Sequence, residues 1–439
     1  IDEAEQLCDQ LNQIKPDHPK LLNFMANIAY KKGDLVACEK YFSQALKQDP
    51  ENENLTFNYA SVYLSAHYYK KAEKILRRLY HRNPNDPKII LSLFSAVIGR
   101  NVPDIEELKQ KVDRLCKKDH LLFSTLAMYV RSKGEYHQAI EYYNQAQESG
   151  DDSLLLFYNR AFPLFLAGRF EEAWQGYEHR WESAMLKLHK QDLPYPMWQG
   201  ENLSGKKILI WGEQGVGDEV RFSRFLSLLP QDTTIYLTCD KRLEDIFERS
   251  FKVQLLKGKR HDLKKGIESL NVDYHLPIGS LAYRLQAWNR PLPTTAALKA
   301  NSDRVHFYQQ HLRQLFPGKL LVAIAWQSNR ETRLSRNFEI EDLINHLRHP
   351  KIQLINFQHS ITKQQLETMN KALDCDIYAL ETLNLYDDLD GLAALSKAVD
   401  FVVSSAQSSA NIAGGVGANV LLLAGLRPEW FWTPALGLK

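Results

Sequence analysis

The sequence contains few cysteines and no pattern that would join them. Five are scattered along the 439 residues, without CxxC spacing or paired histidines: Cys8, Cys38, Cys116, Cys239 and Cys375. This argues against a disulfide framework or a zinc site and favours a reducing compartment, so we expect a cytoplasmic protein.

A strong net charge and long apolar runs are also missing. The 55 basic and 53 acidic side chains leave a formal charge of +2, which is too weak to predict a nucleic-acid partner. No apolar run approaches the roughly 20 residues of a membrane helix, and no signal peptide is visible in the sequence printed from Ile1, so we expect no membrane span. The length and a hydrophobic content of 44% predict two or three folded domains.

The first half of the chain repeats every 34 residues. Small, aromatic and proline residues recur at one phase: Ala26, Gly33, Ala45 and Pro50; Ala60, Tyr63, Ala72 and Pro84; Ala127, Gly134, Ala139, Tyr143 and Ala146; Ala161, Gly168, Ala173 and Tyr177. A more degenerate unit covers about 87–120. Small residues let two helices cross closely, and proline begins the next unit. The pattern resembles the tetratricopeptide repeat over residues 1–187 and implies a solenoid with a concave groove.

A groove of this kind commonly holds a partner protein, although the repeats could instead self-associate or support the next domain. The candidate groove contacts are Asn27, Asn58 and Asn159. The segment from Ala4 to Pro16 fits only the second helix of a unit, so we expect the printed sequence to begin inside a repeat.

Beyond Pro196 the pattern changes to alternating strands and helices. The predicted strands cover 206–211, 233–239, 253–256, 272–276, 320–326, 352–357, 376–379, 399–404 and 418–424. Such alternation predicts parallel sheets in two Rossmann-like lobes, with a site in the cleft at the carboxyl ends of the strands. We therefore predict a repeat domain at 1–190, a first lobe at 191–305 and a second lobe at 306–439.

A glycine-rich loop, Gly212-Glu213-Gln214-Gly215-Val216-Gly217-Asp218, follows the first strand. It lacks the GK[ST] of a P-loop and the last small residue of a dinucleotide fingerprint. NAD binding, with Asp240 on the ribose, stays a weak alternative, and a plain strand-to-helix turn is another. Asp218 is the candidate general base because it ends this loop at the cleft, with a helix cap as its alternative role.

A second polar segment, Ser405 to Gly417, opens a helix after a buried strand. Free N–H groups at a helix start favour a phosphate. The alternative is an ordinary N-cap by Ser404, Ser405 or Ser408.

These segments together resemble the glycosyltransferase domain of bacterial tetratricopeptide-repeat proteins, which is similar to heptosyltransferases and more distantly to O-GlcNAc transferases. The resemblance spans about 190–432 and rests on an ordered set: Trp198, Gly200, Leu203, Gly205, Glu213 to Asp218, Phe222 to Leu226, Ala325 to Asn329, Arg336-Asn337, Asn356 to Gln358, and Ser405 to Gly417. It implies a GT-B fold and sugar transfer from a nucleotide donor. The chain departs from relatives at Ala406, Gln407 and Asn411, and it ends soon after Trp432, so we expect part of the domain to be absent.

The resemblance also implies functional residues. The donor would lie on Gln327, Ser328, Asn329, Arg330, Arg333, Arg336, Gln358, Gln407, Ser408, Ser409 and Asn411. Glu213, Gln214, Gly215 and Gly217 would form the cleft loop before the base Asp218. No metal or cofactor is expected beyond a CMP- or UDP-linked sugar, and two DxD-like triplets, at 374–376 and 388–390, are more typical of a solvated turn and helix face.

Flagellin glycosyltransferases share this order of repeats and GT-B domain. By analogy, the repeats would recruit an acceptor protein such as flagellin, and the α/β part would glycosylate its serine or threonine hydroxyls from a CMP-nonulosonic acid such as pseudaminic acid. UDP-GlcNAc is the competing donor. A glycan or lipid acceptor, and a non-catalytic adaptor with a degenerate domain, remain alternatives.

Overall fold

A computed structural model describes residues 2–100, 105–115, 120–187, 190–260, 263, 267, 270–291, 295–327, 337–359, 361–424 and 430–432. The chain divides into two units, Ile1–Lys190 and Gln191–Lys439. Within the described residues, no helix has the length and apolarity needed to cross a bilayer.

The first unit is built from helices. Their bounds are α1 Asp2–Ile14, α2 Pro19–Lys31, α3 Leu35–Gln48, α4 Glu53–Ser65, α5 Tyr69–Arg82, α6 Pro87–Gly99, α7 Glu106–Leu115, α8 His120–Ser132, α9 Tyr136–Glu148, α10 Leu154–Leu166, α11 Phe170–Tyr177 and α12 Ala184–Lys187. Consecutive helices pack in antiparallel pairs, of which α2 with α3 and α8 with α9 are the most extensive. This is the helical-repeat architecture predicted from the 34-residue period.

The repeated residues explain why the pairs form. Ala26, Ala60, Ala127 and Ala161 are fully buried where the two helices of a unit meet. The turn position between the helices is left-handed in several units, at Gly33, Gly134 and Gly168, and His67 occupies the same phase with a φ of 61°. The position before the first helix carries a capping side chain in Asn52, Asp86 and Ser153, each of which accepts a backbone N–H of the first turn.

The second unit contains two parallel sheets. Its elements are β1 Lys207–Trp211, α13 Val216–Ser223, β2 Thr234–Thr238, α14 Glu244–Ser250, β3 Gln254–Leu255, β4 Tyr274–Pro277, α15 Leu281–Arg284, α16 Ser302–Leu315, β5 Leu320–Ala325, α17 Ile340–Leu347, β6 Ile352–Asn356, α18 Lys363–Ala372, β7 Ile377–Tyr378, α19 Leu389–Ala398, β8 Phe401–Ser405, α20 Ser408–Gly415 and β9 Val420–Leu423. Each strand predicted from the sequence overlaps one of the strands β1 to β9.

The strand orders are β3-β2-β1-β4 in the first sheet and β7-β6-β5-β8-β9 in the second. Every pairing is parallel, so both sheets are Rossmann-like. The order reverses beside β1 in one sheet and beside β5 in the other, and ligands of open α/β sheets bind at such switch points. The fold class is therefore confirmed as helical repeats followed by a two-lobed, GT-B-type α/β unit. The lobe boundary at 305/306 stays a prediction; α16, which packs against α19, already begins at Ser302.

Candidate active site

The two segments singled out from the sequence lie against each other. Helix α13 begins after β1 and α20 begins after β8, and their first turns are in contact. A Cβ placed on Gly217 would lie 2.9 Å from Asn411 Nδ2 and 3.2 Å from Ser408 Oγ. Glycine at position 217 therefore leaves room for the Asn411 and Ser408 side chains where the first turns of α13 and α20 meet.

The glycine-rich loop is anchored on both neighbouring strands. The Gly212 N–H donates to Thr238 Oγ1 of β2 over 3.3 Å. On the other side, Glu213 Oε1 accepts the Gly279 N–H, which follows β4, over 2.9 Å. Gln214 then adopts a left-handed conformation with a φ of 61° and leads into Gly215, the N-cap of α13. Glu213 is therefore part of the scaffold beneath the loop.

Asp218 caps the helix on which it lies. Its Oδ2 accepts the Gly215 N–H over 3.1 Å, and its Oδ1 pairs with the Arg221 guanidinium. The side chain stays 22% exposed, so a third group can still reach it. The capping role that the sequence left as an alternative is thus present, while the role of general base stays a prediction.

Arg221 is a charged group beside Asp218 that sequence reasoning missed. Its guanidinium carbon lies 3.5 Å from the centre of the Phe431 ring, besides its contact with Asp218. The spacing of three residues between Asp218 and Arg221 on one helix was the available signal for the pair. The contact with Phe431 crosses more than two hundred residues and had no signal in the sequence.

The start of α20 has no serine cap. The N-cap residue is Gln407, and its side chain makes no capping hydrogen bond. Ser404 Oγ donates to the Ser405 carbonyl, and Ser405 Oγ accepts from Gln407 Nε2 over 3.2 Å. Because the first N–H groups of a helix have no partner within the helix, and those of Ser408, Ser409 and Ala410 bind no acceptor among the described residues, they can bind an added acceptor.

Two buried polar atoms at this helix start also lack a hydrogen-bond partner among the described residues. They are Gln407 Oε1 and Ser409 Oγ, on side chains that are 6% and 3% exposed. Leaving such atoms unsatisfied costs about 1–3 kcal/mol each. Ser408 is exposed and faces Gly217, and Asn411 binds the Gln407 carbonyl. The region therefore combines free amides with unpaired polar side chains, as expected of an anion-binding site.

The loop after β5 is held by Gln358. The Gln358 Oε1 accepts the N–H groups of Trp326 and Gln327 over 3.1 and 2.9 Å. Its Nε2 donates to the carbonyls of Gln327 and His359, each over 2.9 Å. Gln358 thus shapes the backbone beside the exposed Gln327, and its predicted contact with the donor is untested. The other predicted donor residues of this loop, Ser328, Asn329, Arg330, Arg333 and Arg336, lie outside the described residues.

Both acidic triplets have structural partners. In the first, Gln353 Nε2 donates to Asp376 Oδ2 over 3.3 Å. Asp388 caps α19 by accepting the Gly391 N–H over 2.8 Å and pairs with Arg304, while Asp390 pairs with Arg249. Asp240, the candidate ribose ligand of the NAD alternative, is engaged by Arg242 and Arg260. In the described part of the chain, no group of His, Cys, Asp or Glu is arranged to hold a metal ion.

A buried ion pair lies behind the glycine-rich loop. Arg260 Nε is 2.8 Å from Oε1 of Glu219, which is fully buried on α13. Burial raises the pKa of the Glu219 carboxyl to about 8, while the positive charge of Arg260 opposes this rise. This pair joins two residues 41 positions apart, and the sequence offered no signal for it.

Comparison with known proteins supports both halves of this description. Residues 31–91 match the family Tetratricopeptide repeat. Protein FlbA of Caulobacter vibrioides (strain ATCC 19089 / CIP 103742 / CB 15) is 26% identical over 453 residues, covering 96% of this chain and 75% of FlbA. The chain thus contains tetratricopeptide repeats, followed by an α/β unit with a GT-B-type fold. The match to FlbA extends over both the repeats and this unit.

Solved structures that resemble this chain include a glycosyl transferase family 9 protein from Veillonella parvula, with a TM-score of 0.39 and 12% identity. That match covers 52% of this chain and 82% of the other. An O-GlcNAc transferase mutant from Thermobaculum terrenum matches with a TM-score of 0.37 and 12% identity, covering 96% of this chain and 89% of the other.

Proposed function

We propose that this protein is a glycosyltransferase that moves a sugar from a nucleotide-sugar donor to serine or threonine hydroxyls of an acceptor protein. The observation that carries the proposal is the uncapped start of α20, where buried Gln407 Oε1 and Ser409 Oγ lack partners among the described residues. This start lies against the first turn of α13, which carries Asp218. A candidate phosphate-binding helix start and a carboxylate thus lie on two helices that are in contact.

The donor phosphate would accept hydrogen bonds from the first turn of α20. The positive end of the helix dipole favours negative charge there, and it stabilises the phosphate as the bond to the sugar breaks. Ser408 and Ser409 would add hydroxyl donors, and Gln407 and Asn411 would orient the nucleotide. This mode needs no metal ion, so we propose metal-independent transfer. Arg330, Arg333 and Arg336 remain proposed phosphate contacts.

Asp218 would take the proton of the acceptor hydroxyl. The hydroxyl oxygen attacks the anomeric carbon, the carbon–oxygen bond to the phosphate breaks, and the nucleotide leaves with the electron pair. A carboxylate has about four lone-pair sites. The Gly215 N–H and Arg221 each occupy one oxygen, so Asp218 retains capacity for a proton while its position is fixed. Deprotonation by a positioned carboxylate of this kind speeds transfer.

The repeats would hold the acceptor protein. Asn27 and Asn58, on α2 and α4, are half-buried and joined through Asn23: Asn27 Nδ2 donates to the Asn23 carbonyl and Asn58 Nδ2 to the Asn23 side chain. Asn159 on α10 is also half-buried. We propose a cytoplasmic acceptor such as flagellin, with a CMP-nonulosonic acid as donor and UDP-GlcNAc as the competing donor.

A non-catalytic adaptor is the second candidate. It is favoured by the engagement of Asp218 as a helix cap paired with Arg221. An adaptor would bind the acceptor protein without changing its mass, whereas the proposed enzyme adds a sugar.

A thermal-shift screen against CMP, UDP, GDP and ADP tests the proposal. A ligand that binds only the folded state at 100 times its Kd stabilises it by about 2.7 kcal/mol. One nucleotide should therefore raise the Tm by several degrees, and the corresponding nucleotide sugar should add mass to the acceptor. The first-turn variant Ser408→Leu should lose the shift, whereas Ser302→Leu, at the first residue of α16, should keep it. A wild-type protein unaffected by all four nucleotides would overturn the proposal.

A further inference from the structure

Arg260 connects three separate elements of the first lobe. Its Nη2 donates to the Gln214 carbonyl over 2.7 Å, its Nε is 2.8 Å from Glu219 Oε1, and its Nη1 is 3.3 Å from Asp240 Oδ2. The side chain is only 11% exposed. One guanidinium therefore links the glycine-rich loop, helix α13 and the end of β2.

The loop carbonyl that Arg260 binds belongs to a strained residue. Gln214 has a φ of 61°, in the left-handed region that non-glycine residues adopt at a cost in free energy. Surrounding contacts must hold such a conformation in place. The Arg260 hydrogen bond is charged, and charged hydrogen bonds are among the stronger contacts available for this purpose.

The same peptide group contacts both Arg260 and Asp218. The Gln214 carbonyl and the Gly215 N–H form one planar unit, because the peptide bond does not rotate freely. Arg260 binds its oxygen, and Asp218 Oδ2 accepts its N–H over 3.1 Å. A hydrogen bond to the Gln214 carbonyl also polarises the Gly215 N–H and strengthens the hydrogen bond from that N–H to Asp218. A change at Arg260 thus reaches Asp218 through a single peptide.

Glu219 keeps Arg260 in this position. Its Oε2 accepts the Asp240 N–H over 2.7 Å, and a Cβ on Gly212 would lie 2.3 Å from its Oε1, so the carboxyl lies directly against the loop. Arg260 consequently lies between the Glu219 and Asp240 side chains and donates to the loop carbonyl. This arrangement suits a structural clamp better than a direct contact with a substrate phosphate.

We propose that Arg260 is a positioning residue that holds the Gln214–Gly215 peptide, and through it Asp218, in the arrangement needed for sugar transfer. The catalytic part of this inference rests on the proposed function. Its structural part, the hold of Arg260 on the glycine-rich loop, can be measured without any substrate.

Hydrogen–deuterium exchange of wild type and Arg260→Met measures that hold. In Arg260→Met, we expect the backbone amides of 212–218 to exchange faster by on the order of tenfold, because a charged hydrogen bond to the loop is lost. The exchange rates in segment 401–415 should stay unchanged. Arg249→Met is the matched control, because Arg249 also binds a carbonyl and a carboxylate, those of Lys299 and Asp390, without contacting the loop. If Arg260→Met does not fold, the double variant Arg260→Met/Glu219→Gln takes its place in the exchange experiment, because it removes both partners of the buried pair. Unchanged loop exchange in a folded variant would overturn the inference.

Steady-state kinetics with the nucleotide sugar selected by the thermal-shift screen tests the catalytic part. Arg260→Met should lower kcat by on the order of tenfold to a hundredfold at an unchanged donor KM, because the base is misplaced while the donor site is intact. Arg260→Lys should recover part of kcat. An unchanged kcat, or a rise in donor KM alone, contradicts a positioning role. If the wild type turns over no donor, the proposed function fails, and the exchange experiment still decides whether Arg260 holds the loop.

Discussion

Asp218 combines a cap and a candidate base, and two substitutions can separate these roles. Asp218→Ala removes the acceptor of the Gly215 N–H and the partner of Arg221. Asp218→Asn keeps an oxygen for the N–H and removes only the charge. If Asp218 is the base, both variants should lose transfer, and only the alanine should lose the cap.

The magnitudes follow from these two contacts. Loss of a helix cap costs about 0.5–2 kcal/mol, and a partly exposed ion pair contributes up to about 1 kcal/mol. Asp218→Ala should thus destabilise the protein by about 1–3 kcal/mol, and Asp218→Asn by about 1 kcal/mol at most. Each kcal/mol lowers the Tm of a domain of this size by roughly 2–4 °C. Loss of a general base should lower kcat by about 10²- to 10⁴-fold in both variants.

The assay pairs thermal unfolding with transfer of the sugar to the acceptor protein. Asp388→Asn is the matched control, because Asp388 likewise caps a helix and pairs with an arginine, at α19. It should lose similar stability to Asp218→Asn and retain transfer. Near-native turnover by Asp218→Asn would refute the reasoning and leave Asp218 as a cap alone.

Three further predictions concern the donor site, the repeats and a buried histidine. Ser409→Leu should raise the Kd of the selected nucleotide at least tenfold by calorimetry while preserving the circular dichroism spectrum, because leucine fills the space beside the free amides of α20. A folded fragment comprising residues 191–439, the second compact unit, should bind the nucleotide as the full chain does and fail to modify the intact acceptor protein; full-rate modification would place recognition in the cleft. His275 Nδ1 accepts the Trp211 indole N–H over 3.2 Å, and burial holds its pKa below the ordinary 6.5. The unfolded chain therefore binds the proton more readily, so the Tm should fall as the pH drops below 6.5. In His275→Asn, the Tm should depend less steeply on pH. An unchanged pH dependence of the Tm would show that His275 does not cause it.

The fold could be predicted because its signals are local. Buried parallel strands such as β1 and β5 are uninterrupted apolar runs ending at polar or glycine-containing loops, and the repeats carry their small residues at a fixed phase. The helix bounds are less evident from the sequence: α13 begins at Val216, within the glycine-rich loop, and continues after Ser223 as a 3₁₀ helix over Arg224–Leu228. Helix ends depend on capping contacts, which sequence patterns locate only approximately.

The candidate site was only partly predictable. The two loops were found because each is a local motif, and the structure places their helices in contact. The serine cap expected as an alternative for α20 is absent, because Ser404 and Ser405 bond to neighbouring groups. The partners of Asp218, Gln358 and Glu219 depend on side-chain directions set by tertiary packing. Arg260, 41 residues beyond Glu219, is the clearest case of a contact that periodicity cannot reveal.

The parallel pairing of the two sheets also bears on how the chain acquires its structure. Each helical pair of the first unit joins neighbouring segments, so these contacts can form as soon as the second helix leaves the ribosome. The β1–β4 pair of the first sheet joins Ile208 to Tyr274, and the β5–β8 pair of the second joins Val322 to Phe401. Such distant pairings form slowly because a long loop must close first. We therefore expect the repeats to be structured while apolar strands of the α/β unit are still exposed, which makes those strands the segments of this protein most in need of chaperones during synthesis.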